Sequence, residues 1–144
     1  MSALEQLVRL HGWTLDERRR KVADLEQLAE RLRTDLARID GELVREEKTA
    51  SGSPELLAAF TAYAAVARRR RDKLARSIID VEQEIERARE AVQEAFQELK
   101  RYEQALANRK ARAADAVRRR DQTAADEVGI EMFRRKGQAG GKGG

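Results

Sequence analysis

Few residues in this chain could do chemistry. There is one histidine, His11, and no cysteine. Disulfides, thiol catalysis and cysteine-ligated metal are therefore excluded. Acidic residues number 26, but a carboxylate needs an enclosed setting to raise its pKa into a catalytic range. The chain offers them solvated positions instead. The glycine-rich end, GQAGGKGG, is followed by no helix, so it is not a phosphate-cradling loop. We assign no catalytic, cofactor-binding or metal-ligating residue. What remains is basic: Arg18 to Arg20, the run Arg68 to Arg71, Arg109 to Arg112, and Arg118 to Arg120. Such clusters recognise anions, so the chemistry on offer is binding rather than catalysis.

Whether those cations are free depends on the elements that carry them. Charged residues make up 39% of the 144 and aromatics only 4%, with a single proline. That composition favours long helices over a thick globular core. Thirty basic residues against 26 acidic ones leave a net charge of only +4, a mixed surface and not a polycation. No charged segment followed by an apolar stretch opens the chain, so no signal peptide is expected. The longest uncharged stretch, Leu56 to Ala67, is alanine-rich and too short to span a bilayer.

Apolar residues recur with heptad spacing. Val8, Leu15, Val22, Ala29, Leu36, Leu43 and Ala50 form one series, and Leu4, His11, Arg18, Leu25, Leu32, Ile39 and Glu46 another. Together they make a 3-4 seam of the coiled-coil type. The pattern resumes at Leu57 and continues through Phe60, Ala64, Ala67, Arg71, Leu74, Ile78, Val81, Ile85, Ala88, Val92, Ala95, Leu99 and Tyr102 to Leu106. The predicted fold is all-α: an antiparallel two-helix coiled-coil hairpin with a longer C-terminal helix. Helices are expected over 3–50 and 54–128, with a loop at 51–53. A short basic end, 129–136, and a disordered glycine-rich tail, 137–144, complete the expected layout. Ser2 and Glu5 have capping-box spacing. Gly52 suits a left-handed residue after the first helix, Ser53 a cap, and Pro54 a first helical position.

A loop this short makes the helices antiparallel neighbours. Folding about residue 53 pairs seam residues whose numbers sum to 106 or 107. Leu25 then meets Val81, Leu32 meets Leu74, Val22 meets Ile85, Leu43 meets Ala64 and Ile39 meets Ala67. In that register Arg68 to Arg71 approach Asp35 and Asp40. Arg18 to Arg20 approach Glu84 and Glu86, and Arg87 and Arg89 approach Asp16 and Glu17. We therefore read the tetra-arginine as a charged helix face with internal partners, not a nucleic-acid arm. His11 is read as a tolerated polar seam residue. Trp13 lies just off the seam, either packing partly on the second helix or offering an aromatic to a partner.

The last cluster differs. The expected helices have about 48 and 75 residues, or roughly 70 Å and 110 Å, so the first runs out opposite Tyr102. From residue 100 onward there are 12 basic and 6 acidic residues. Arg109, Arg112, Arg118, Arg119 and Arg120 fall where the first helix offers no counter-charge. The apolar residues beside them, such as Ala113, Ala116 and Val117, are small. This segment is either a frayed, solvated helix end or a basic, weakly apolar docking helix, and the docking helix is the reading favoured here.

The stretch LVRLHGWTLDERRRKVADLE, the uneven hairpin, and the late segments AF-x-E-LKRYE and ADEVGIEMFRR resemble the FliJ family of flagellar type III export proteins. The likeness runs from Leu4 to about Arg135. The YscO-like stalk proteins of virulence secretion systems would look similar. The resemblance implies a non-enzymatic, cytoplasmic stalk at the inner face of the membrane. It implies insertion into the ring of a FliI-like export ATPase, contact with an FlhA-like export gate, and handling of export chaperones. It assigns no contact residue. Two other classes stay open: a generic coiled-coil scaffold, and a nucleic-acid-associated protein using the basic end.

Overall fold

A computed structural model describes residues 2–141. They form two α-helices, α1 (Ala3–Ala50) and α2 (Pro54–Gly141), with no strand among the described residues. The start of α1 is held by a reciprocal cap. The Glu5 N–H donates to Ser2 Oγ at 3.2 Å, and the Ser2 N–H donates to Glu5 Oε2 at 3.4 Å. Two otherwise orphaned donors are satisfied this way. At α2 the Leu56 N–H donates to Ser53 Oγ at 3.4 Å, with Pro54 at the first helical position, where its missing N–H costs nothing.

Between the helices the structure departs from expectation. Gly52 does not adopt a left-handed conformation; no described glycine has a positive φ. The chain leaves α1 by hydrogen bonds from Ser51 N to Glu47 O at 3.1 Å and from Ser53 N to Ala50 O at 3.3 Å. These tighten the last turn stepwise, so no left-handed residue is needed to satisfy the terminal carbonyls. At the other end, α2 runs on through Gly129 to Gly141, past residue 128, where the sequence pattern ends. The expected separate end at 129–136 is helical, as are residues 137–141 of the expected tail; 142–144 lie outside the described residues. A helical glycine costs about 1 kcal/mol against alanine but breaks no hydrogen bond. Beyond it, Glu131 pairs with Arg134 at 3.7 Å and Arg135 at 3.6 Å.

The described residues fall into two units, one of residues 9–99 and one of residues 2–8 with 100–141. The core lies in the first. One buried cluster joins Ile39 and Leu43 of α1 to Ala64 and Ala67 of α2, with Phe60 and Leu74 packed against it. A second joins Ala29 to Val81 and Ile85, with Leu25, Leu28 and Leu32 packed against it. Small residues face large ones, which lets the backbones approach without voids. Ala64 and Ala29 are each only 1% exposed. Of the other seam residues, Leu15 and Ile78 are buried, while Val22, Leu36, Val92 and Leu99 are half-buried. Leu57 is not part of this packing. It is 50% exposed, whereas Phe60, one turn further on, packs against the buried cluster.

In the second unit, Leu4, Leu7 and Val8 are half-buried, as are Tyr102, Glu103 and Leu106. From 107 to 139 every residue except Asp115 is exposed.

Gly12 sits inside α1 with open space where a Cβ would go. It therefore weakens the helix without serving a close approach within the chain. Gly12→Ala is expected to stabilise the protein by about 0.4–1 kcal/mol, read as a higher midpoint in urea with an unchanged slope. A lower midpoint would show that the glycine is needed where it stands.

Candidate partner-binding surfaces

The tetra-arginine is divided by the geometry of the helix. Successive residues are rotated by about 100°, so four in a row encircle α2 and, among the described residues, only one forms an ion pair with α1. That one is Arg71, whose Nη1 lies 3.6 Å from Asp40 Oδ1 and whose Nη2 lies 3.8 Å from Asp72 Oδ1. Among the described residues Arg68, Arg69 and Arg70 make no ion pair. Asp35, expected beside them, is paired within α1 to Arg38 at 3.1 Å. The expected internal neutralisation of the whole run is thus corrected to one arginine in four.

Other flank pairs also differ from expectation. Arg89 donates to Glu26 at 3.0 Å, not to Asp16 or Glu17. Arg33 donates to Glu82 at 3.0 Å. Arg18 and Glu84 line one groove, yet Arg18 to Arg20 make no ion pair among the described residues. Glu26, Arg33 and Asp40 recur at seven-residue intervals, one stripe on α1. Each carries a partner on α2, so these three interhelical pairs line a single flank. A long arginine side chain leans along its helix, so it meets a residue well away from the one directly opposite its Cα. Each of these pairs is about half exposed and contributes only about 0–1 kcal/mol. Near the turn, Leu56, Ala59 and Tyr63 line a shallow groove with Glu46 and Thr49. Phe60 and Tyr63 are tilted neighbours with ring centroids 6.4 Å apart.

The candidate docking arginines lie in the other unit. Arg109, Arg112, Arg118, Arg119 and Arg120 are all exposed. Arg118 pairs with Asp115 one turn earlier. Among the described residues the other four make no ion pair. Val117, Val128, Ile130, Met132 and Phe133 are exposed on the same segment, Phe133 to 80%. Val117 and Val128 are apolar positions of the segment's own pattern, and Ile130, Met132 and Phe133 follow Gly129, where that pattern is interrupted. Trp13 belongs to the unit of residues 9–99, where it is 57% exposed beside an exposed Leu10. His11 is half-buried. No group of three or more potential metal ligands converges among the described residues, and no described helix is long and apolar enough to cross a membrane.

A family model described as flagellar FliJ protein matches residues 1–138. The chain belongs to the FliJ family. Comparisons with curated proteins and with solved structures returned no match. Membership in the FliJ family gives the chain a flagellar, export-related role in protein transport. It suits a pair of long helices whose exposed features are charge clusters and apolar edges rather than a reaction site.

Proposed function

We propose that this FliJ-family protein is a non-enzymatic coiled-coil stalk of the flagellar export apparatus, docking through the C-terminal segment of α2 onto the ring of the export ATPase. The observation that carries this reading is the run from 107 to 139, exposed at all positions but one, with Arg109, Arg112, Arg119 and Arg120 unpaired among the described residues. A helix this exposed gains no support from tertiary packing, and packing is where helices in proteins draw most of their stability. An acidic partner surface would supply both the packing and the counter-charge.

Residues 9–99 act in this reading as an antiparallel coiled-coil hairpin. The clusters joining Leu43 to Ala64 and Ala29 to Val81 support that direction, since later residues of α1 meet earlier residues of α2. The export gate has a surface available in the groove lined by Leu56, Ala59 and Tyr63. Export chaperones are the further partners implied, and the protein works in the cytoplasm at the inner membrane. The same architecture would serve a virulence-type secretion stalk.

Purified export ATPase incubated with the full chain will retain it and hydrolyse ATP faster. A variant ending at residue 106 will lose both effects while keeping its helical melting transition. Equal retention of the shortened chain would move the docking surface to the hairpin.

A further inference from the structure

Residues 68–76 hold six basic side chains and one acidic one. Arg71 is taken up by Asp40 and Asp72. Arg68, Arg69, Arg70, Lys73 and Arg76 are exposed, and among the described residues they make no ion pair. Arg69, Lys73 and Arg76 follow at i, i+4 and i+7, which stacks them on one face of α2. The buried Ala67 and Ile78 lie on the other side of the helix, so Arg69 and Arg76 face away from α1, while Lys73 also borders a groove with Asp35, Arg38 and Ile39 of α1. Like charges at this spacing oppose helix formation; Asp72, one turn from Arg69 and Arg76, is engaged by Arg71, and Asp80 follows Arg76 by one turn without forming an ion pair among the described residues, so the face keeps an excess of cations. Val66 and Ile79 bracket the ridge, both exposed. Every exposed position between them is charged except Ser77.

We propose that this arginine ridge is a docking face for anionic phospholipid headgroups. A bilayer presents its negative charge in a plane, so a convex helix face meets it with several cations at once and needs no matching contour. Val66 and Ile79 settle at the boundary between headgroups and acyl chains while the guanidinium groups pair with phosphate. A protein partner would be expected to close over an apolar centre, and here the centre is charged. Duplex DNA is met by basic faces that also carry a groove-reading element, which this outer face lacks.

The C-terminal segment has more cations in total, but Asp115, Asp121, Asp126, Glu127 and Glu131 are interleaved with them. Arg118, Arg134 and Arg135 are already paired. The ridge at 68–76 is the denser unpaired charge. It is a separate cluster, so this inference does not depend on ATPase docking.

The test is flotation of the full chain with vesicles of phosphatidylglycerol and phosphatidylcholine in equal parts, against vesicles of phosphatidylcholine alone. The parent is expected to float only with the anionic vesicles, and less as salt is raised. The exposed triple variant Arg69→Gln, Lys73→Gln, Arg76→Gln is expected to lose roughly a hundredfold in vesicle affinity. Its circular dichroism and melting are expected to match the parent's. Arg69→Lys with Arg76→Lys is expected to float as the parent does, because the charge is kept. A variant with Arg112, Arg119 and Arg120 changed to Glu, which leaves the ridge intact, is expected to float as well. Flotation of the triple variant at the parent's level overturns the proposal. So does binding of the parent to neutral vesicles, or loss of flotation only when the C-terminal arginines are changed. A parent that ignores anionic vesicles but retards duplex DNA in the same buffer also overturns it, in favour of nucleic acid.

Discussion

Changing Arg112, Arg119 and Arg120 to glutamate will weaken association with the export ATPase by tenfold or more and abolish stimulation of its activity. All three side chains are exposed and without an ion pair among the described residues, so no contact inside the protein is lost. Arg118 stays in place because it holds Asp115. Surface changes away from packing usually shift stability by less than about 0.5 kcal/mol, and the melting temperature will stay close to the parent's. Like charges set against one another across an interface slow encounter and cost several-fold to many-fold in affinity, which is the origin of the expected loss. The measurement is a pull-down and a steady-state ATPase assay with the variant beside the parent. Undiminished binding and stimulation by a well-folded variant would make the C-terminal arginines bystanders. Attention would then turn to Trp13 and Leu10, the other exposed large residues near a chain end.

Leu43→Ala will destabilise the protein far more than Leu57→Ala, although both leucines fit the heptad pattern. Leu43 is 8% exposed and packs with Ile39, Ala64 and Ala67. Removing its branched end leaves a gap that two helices alone cannot close. Buried leucine-to-alanine changes cost about 2–5 kcal/mol, and the low end is expected where the core is only two helices thick. Leu57 is half in water, and its truncation is expected to cost under about 1 kcal/mol. Ile85→Ala, in the second cluster, will behave like Leu43→Ala. Urea titrations followed by circular dichroism give the comparison directly. Equal losses for Leu43 and Leu57 would mean that the turn end of the seam is packed differently from the arrangement described above.

The sequence by itself determined that the chain is two long helices and where they are capped. Heptad recurrence is a local property: apolar groups every three and four residues leave one stripe that only a helix can align. Ser2 with Glu5, and Ser53 before Pro54, act on backbone groups within one turn of themselves, so their hydrogen bonds are readable from residue order alone. Family membership was legible for a similar reason, since it rests on residues along nearly the whole chain.

Only the tertiary structure decided how the charges are used. A run of four arginines looks the same whether one or all of them have partners. The 3-4 spacing sets Arg71 on the seam, but only the packed helices put it 3.6 Å from Asp40 and leave Arg68, Arg69 and Arg70 exposed without an ion pair among the described residues. Arg89 meets Glu26 rather than Asp16 or Glu17 because a guanidinium on a long flexible stem reaches along the helix, whereas simple register counting places only Cα positions. Leu57 is half exposed while Phe60 takes the packed position, and Gly52 avoids the left-handed region because the last turn of α1 tightens instead. The arginine pairings depend on side chains contributed by the other helix, and heptad spacing does not fix how far along that helix a long side chain reaches; the Leu57 and Gly52 outcomes are settled by near neighbours, whose packing and hydrogen bonding the spacing does not specify either.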